Sequence, residues 1–168
     1  MALKAKPKAC VGCARYSTGI GFIEPTGSPD SRFIIVGQAP TPDDAWQSRP
    51  FFEKGYVGER MLARLYRAGL QRSDVIMTTL VWCANERETP WTKLVPPAHA
   101  AVKHCWHAHL GPYLHSLPAT PTPRHVVTVG TAPLRWFKKM TQKESVDPHY
   151  GTCVIHTVPE VKHDTQPV

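Results

Sequence analysis

A chain of 168 residues is the size of one domain, at about 100–200 residues each, and is long enough to bury a core. Twenty Lys and Arg against 13 Asp and Glu give a formal charge of +7, which favours a polyanionic partner, nucleic acid first. No run of about 18 apolar residues occurs, which excludes a membrane-spanning helix, and the opening MALKAKPKAC does not read as a secretory signal, so a cytoplasmic setting is expected.

Residues 1–9 read as a basic, frayed arm. Cys10-Val11-Gly12-Cys13 is a C-x-x-C, which sets two thiolates on one tight turn where both can hold a metal centre. A thioredoxin-type redox pair is the rival, but no strand pattern precedes these cysteines and no helix pattern follows them. Residues 14–31 read as a loop rich in Gly, Pro and Ser.

Phe33-Ile34-Ile35-Val36 predicts a buried strand. Gly37-Gln38-Ala39-Pro40-Thr41-Pro42 follows: the glycine permits a sharp turn, and the prolines keep a helix from starting at once. A loop at the carboxyl end of such a strand is a usual ligand site in α/β sheets. Asp43, Asp44 and Arg49-Pro50-Phe51-Phe52 add carboxylates, a guanidinium and two rings. The alternative is a purely structural loop.

Val57 to Leu70 has apolar residues at helical spacing, with Gly69 near its end. Val75 to Val81 predicts a second strand, ending at Trp82-Cys83. After a polar loop from Ala84 to Pro97, a helix is expected over Pro97–Leu117, kinked at Gly111-Pro112. His125–Val129 predicts a third strand, Thr131–Met140 a short helix and Gly151–Val158 a fourth strand, with irregular chain after it. Alternation of strands and helices implies a three-layer α/β/α sandwich around a largely parallel four-stranded sheet, all in one domain over residues 1–168.

Five cysteines in a reducing compartment point to metal before disulfides. Cys10, Cys13, Cys83 and Cys105 form a set suited to a [4Fe–4S] cluster or a structural zinc, while Cys153 lies inside the fourth strand and reads as core. His104, His107 and His109 offer zinc another donor set, although histidines at such spacing are more often solvated.

Taken together, the motifs resemble the iron–sulfur (family 4 type) uracil-DNA glycosylases. The residues that carry the resemblance are Cys10-Val11-Gly12-Cys13, Val36-Gly37-Gln38-Ala39-Pro40, Arg49-Pro50-Phe51, Arg67-Ala68-Gly69-Leu70, Thr78 to Cys83, Cys105 and Val129-Gly130, in the family's order. The resemblance implies a [4Fe–4S] cluster on the four cysteines, in preference to zinc. It also implies a pocket for a base flipped out of DNA, walled by Gly37, Gln38, Ala39 and Pro40, with Phe51 stacking on the base and Thr79 at the base-reading position. His156 would steady the negative charge on the leaving pyrimidine.

Three positions depart from the family pattern. Gln38 stands where the family has a carboxylate; an amide can orient a water but cannot act as a general base. Asp43 or Asp44 is the replacement carboxylate. Thr79 stands in place of asparagine and makes fewer hydrogen bonds to a base edge. His156-Thr157-Val158-Pro159 departs from His-Pro-Ser, as in a trimmed or divergent member such as a virus carries.

The expected activity is hydrolysis of the N-glycosidic bond of uracil or another altered base, with a structural cluster. The competing expectation is a non-catalytic, DNA-binding descendant. The expected partner is single- or double-stranded DNA, met by a monomer without a membrane, in the cytoplasm of a bacterium or virus-infected host or at the nucleoid. Arg60, Arg64, Arg135, Lys138 and Lys139 are the expected phosphate contacts.

Overall fold

A computed structural model describes residues 2–85, 97–141 and 154–157 of the chain. In order, the elements are β1 (Gly19–Ile20), β2 (Phe33–Gly37), α1 (Pro42–Trp46), α2 (Tyr56–Arg67), β3 (Val75–Thr79) and β4 (Ala84–Asn85). Then come α3 (His99–Cys105), a π-helical turn (Trp106–Leu110), α4 (Gly111–Ser116), β5 (His125–Thr128), α5 (Thr131–Thr141) and β6 (Val154–Thr157).

The main sheet has strand order β3-β2-β5-β6. β2 lies between two parallel neighbours, with Ile35 opposite Met77 on one side and Val127 on the other. Its residues are apolar on both faces, as a strand covered on both sides requires. Ile34 and Val36 join Ile76 and Val126 in one core, which also takes in Ala101 and Val102 of α3 and Trp136 and Phe137 of α5. Ile35 joins Val75, Met77 and Val127 in a second core with Met61, Leu62 and Leu65 of α2. The architecture is thus mixed α/β with three parallel strands. β6 differs from a simple alternation of strand and helix, because it runs antiparallel to β5.

α2 stops where the sequence suggested. Gly69 takes φ +73°, its N–H bonds the Tyr66 carbonyl, and the Leu70 N–H reaches back to Leu65 at 2.9 Å. That is a Schellman termination, with Leu70 folded onto the α2 core.

Three expectations are corrected. The prolines do not delay a helix: α1 begins at Pro42 itself. Proline suits a first turn, where its missing N–H has no partner to lose. The long helix expected over Pro97–Leu117 is interrupted by the π turn. Pro112 has no N–H to give, and the Gly111 N–H goes to the Trp106 carbonyl, five residues back. Residues 2–9 are not a frayed arm. Lys6 Nζ donates to the carbonyls of Arg15 (3.2 Å), Tyr16 (2.5 Å) and Gly19, and Leu3 packs on Ile23, Ala45 and Ala84.

The segment read as loop over 14–31 also has a structural task. β1 pairs antiparallel with β4, and residues 23–26 then strap the outer edge of β3. Ile23 N–H bonds the Trp82 carbonyl, and Thr26 and Met77 exchange N–H···O bonds of 3.0 and 2.7 Å.

Candidate functional site

The carboxyl ends of β2 and β3 carry the first site. Gly37 ends β2, and a Cβ built on it would stand 2.7 Å from the Phe51 ring and 3.2 Å from the Thr79 methyl. Phe51 and Thr79 therefore both close on Gly37, and only glycine leaves room for the ring. Gln38 and Ala39 follow, half-buried, then buried Pro40. Thr79 is buried, and its hydroxyl donates to the Val81 carbonyl at 2.7 Å.

Phe51 holds φ +52°, a costly conformation for a residue with a bulky side chain. Its surroundings force it. Arg72 donates to the Phe51 carbonyl at 2.8 Å and the Pro50 carbonyl at 2.6 Å, and reaches Thr26 Oγ1 at 3.1 Å. On the other side Asp44 Oδ1 accepts from the Phe52 N–H at 2.6 Å. The same carboxylate accepts from the Thr41 N–H through Oδ2 at 2.8 Å, completing the capping box that opens α1. Burial raises the Asp44 carboxyl above the usual carboxylate range, and the Phe52 and Thr41 bonds oppose that rise. Asp43, its neighbour, is exposed. Phe51 itself is 5% exposed, so little of its ring meets solvent.

The second site is built of sulfur. Cys10, Cys13, Cys83 and Cys105, from three segments of the chain, line one pocket with Phe22, Trp82 and His109. Its empty volume, mouth included, is about 330 Å³. All four cysteines are free thiols. Burial pushes the Cys105 thiol up to about 12, and the Trp82 backbone bond only partly opposes it. Burial also raises Cys10, helped by Cys83 and Cys13, and raises Cys83 against the pull of Arg15 and Lys6. The thiolates of Cys10, Cys83 and Cys105 are thus disfavoured, chiefly by burial, unless a cation joins them. Among the described residues no three His, Cys, Asp or Glu groups converge closely enough to hold a single metal ion.

The family model for the uracil DNA glycosylase superfamily matches residues 24–163. The chain belongs to this superfamily. It is 28% identical over 85 residues to a type-4 uracil-DNA glycosylase of Archaeoglobus fulgidus, a match covering 49% of this chain and 42% of that protein. A type-4 uracil-DNA glycosylase of Thermotoga maritima is also 28% identical, over 86 residues, or 49% of this chain and 44% of the relative. The chain thus matches less than half the length of these curated relatives.

Within this superfamily member, the loop Gly37–Pro40, Phe51 and Thr79 meet at one strand end, and the four cysteines meet at one pocket. Val81 and Trp82 lie between the two sites in sequence, linking Thr79 to Cys83. His156 lies on β6 opposite Val126; its side chain and Cys153 fall outside the described residues. Arg60, Arg64, Arg135 and Lys139 are exposed and Lys138 is half-buried. They stand on α2 and α5, whose core residues belong to different faces of the sheet. Among the described residues no helix is long and apolar enough to cross a membrane.

Sequence reasoning missed Arg72 as the clamp of the Phe51 turn, and it offered His109 only as one of three alternative zinc donors, whereas its Nε2 reaches Cys10 Sγ. For Asp44 a signal existed: Thr41-x-x-Asp44 before a helix is a capping pattern.

Proposed function

We propose that the chain is a DNA glycosylase that hydrolyses the N-glycosidic bond of uracil or another altered base. The observation that carries this reading is the close approach of Phe51 and of Thr79 to Gly37 at the ends of β2 and β3, inside the region matched by the superfamily. The three-layer α/β/α arrangement belongs to the same reading, with helices over both faces of the sheet.

The Thr79 hydroxyl spends its proton on the Val81 carbonyl. It therefore offers a base only lone pairs. That suits the ring N–H of uracil, thymine or hypoxanthine and rejects the bare ring nitrogen of cytosine. Gly37, Gln38, Ala39 and Pro40 form the wall of the base pocket, with Phe51 beside it. The Gln38 amide orients the attacking water. Asp44 is buried and accepts a backbone N–H at each oxygen, whereas exposed Asp43 is the carboxylate of this loop free to assist that water. His156 takes no part in this proposal, because antiparallel β6 sets it opposite Val126, level with Ile34 rather than with Gly37. DNA phosphates meet Arg60, Arg64, Arg135, Lys138 and Lys139, in keeping with the +7 charge.

The cysteine pocket fits an iron–sulfur cluster. A zinc ion holds each sulfur about 2.3 Å away, and the described donors do not converge that closely. A four-iron cluster takes four cysteine thiolates as its ligands, the number and type this pocket offers. Cys10, Cys13, Cys83 and Cys105 would hold it. When bound it would supply a structural cross-link between the N-terminal arm, the β3 exit and α3, with no part in bond cleavage.

A second reading, a DNA-binding protein without catalysis, is favoured by Gln38 in a carboxylate's place and by the use of both Asp44 oxygens in holding backbone. One assay separates the two. Labelled oligonucleotides carrying a single uracil, hypoxanthine or mismatched thymine are incubated with anaerobically purified protein and then treated with alkali. Alkali-labile breaks at uracil are expected, with none at cytosine. Intact DNA on every substrate, with binding retained, overturns the enzyme in favour of the binder.

A further inference from the structure

His109 belongs to a run of histidines that sequence patterning places in solvent, yet it is 9% exposed. The π turn Trp106–Leu110 carries it. Such turns interrupt helices at functional sites more often than elsewhere, and this one depends on Gly111, where a Cβ would stand 2.9 Å from the Trp106 carbonyl. The imidazole is held on both sides. It stacks on Trp82 with centroids 5.4 Å apart and takes Phe22 edge-on at 5.0 Å. What remains is Nε2, which lies 3.1 Å from Cys10 Sγ. A second histidine of the same helical stretch, His104, donates from Nε2 to the Ala9 carbonyl at 2.8 Å. Two adjacent residues of the arm that bears the C-x-x-C are thus tied to α3 and the π turn by imidazoles.

We infer that His109 is a positioning residue for the cluster, donating its Nε2–H to the Cys10 thiolate and raising the cluster's reduction potential. This rests on the cluster reading given above. A thiolate bound to iron keeps lone pairs that can accept a hydrogen bond, and an N–H aimed at them draws off electron density. The added electron of the reduced cluster is then better accommodated. No proton has to move: one electron arrives from the reductant, and the N–H stays on the imidazole.

The test compares wild type, His109→Phe and His109→Gln, all purified without oxygen. Iron per chain, the visible spectrum and the midpoint potential are measured, with dithionite as reductant. Phenylalanine keeps a flat ring against Trp82 but has no donor, whereas glutamine restores an N–H. The expected result is equal iron in all three. In His109→Phe the one-electron equilibrium shifts about tenfold toward the oxidised form, or ~59 mV lower, and His109→Gln recovers most of that shift. Equal potentials in fully loaded wild type and His109→Phe would overturn the inference. If His109→Phe does not load iron, His109→Gln decides: a loaded variant at the wild-type potential supports the donor role. An iron-free His109→Gln with unchanged far-ultraviolet circular dichroism overturns it, because His109 would then be a ligand. Wild type without iron overturns the cluster reading and this inference with it, an outcome distinct from a loaded wild type whose potential the substitutions leave unmoved.

Discussion

The strand-end site and the cysteine pocket sit four residues apart along the chain, from Thr79 to Cys83, yet they are held by opposite means. The strand-end site is a matter of backbone. A strained Phe51, a glycine with no room for a side chain, an arginine on two carbonyls and a carboxylate on two N–H groups all serve one turn. The cysteine pocket is a matter of side chains, with thiols from distant segments set among Phe22, Trp82 and Ala101. Under the proposed function, the first would bind and release a base, which needs a shaped loop that chemistry does not lock, and the second would hold a group permanently, which needs donors that only that group can satisfy.

The comparison is broken most severely by removing a sulfur. Cys105→Ser is expected to lose most of the iron and the visible absorbance, because this thiol is buried where no water can stand in for it. Iron retained at the wild-type level would remove Cys105 from the ligand set. Gly37→Ala tests the other site. The added methyl meets the Phe51 ring at 2.7 Å, and such overpacking costs about 1–3 kcal/mol. Uracil excision is expected to fall at least about tenfold, the equivalent of ~1.4 kcal/mol, while the cluster spectrum stays as it was. A variant that loses both together would show that the sites are one cooperative unit.

The smallest effect concerns Asp44. Its carboxyl is raised in the folded chain, first by burial, so the folded state binds its proton more tightly than the unfolded state. The contribution is therefore full below the ordinary carboxylate range and is lost as pH rises through the raised value. Asp44→Asn has no such titration, and it keeps only one acceptor for two N–H groups. Urea unfolding of both proteins across that pH range is expected to show wild type losing its advantage as pH rises. A constant difference would mean that folding leaves the proton affinity of the Asp44 carboxyl unchanged.

Much of this was legible in the sequence for a physical reason in each case. Cysteines are too reactive to be spent four times on packing, so Cys10, Cys13, Cys83 and Cys105 announced a shared pocket. The strand before Gly37 and the glycine itself announced a turn. The run Ile34-Ile35-Val36, apolar on both faces, announced a covered strand. The remainder lay beyond pattern. Periodicity carries no direction, so β6 could not be read as antiparallel. Arg72 follows a helix end where a solvated arginine is ordinary, and only the tertiary fold brings it to Pro50 and Phe51. His109 looked like one more histidine on a wet helix, and the Gly111-Pro112 step that opens the π turn read as no more than a kink.

The strap over the outer edge of β3 has a consequence for how this chain fails. Ile23 and Thr26 occupy hydrogen-bonding positions along that edge, and Gly27 lies so close that a Cβ would fall 2.1 Å from the Val75 carbonyl. A strand edge closed in this way gives a second chain no template for pairing until the strap has peeled off. Aggregation should therefore be gated by release of the first thirty residues, and proteolytic nicking in that stretch should precede turbidity as the protein is warmed.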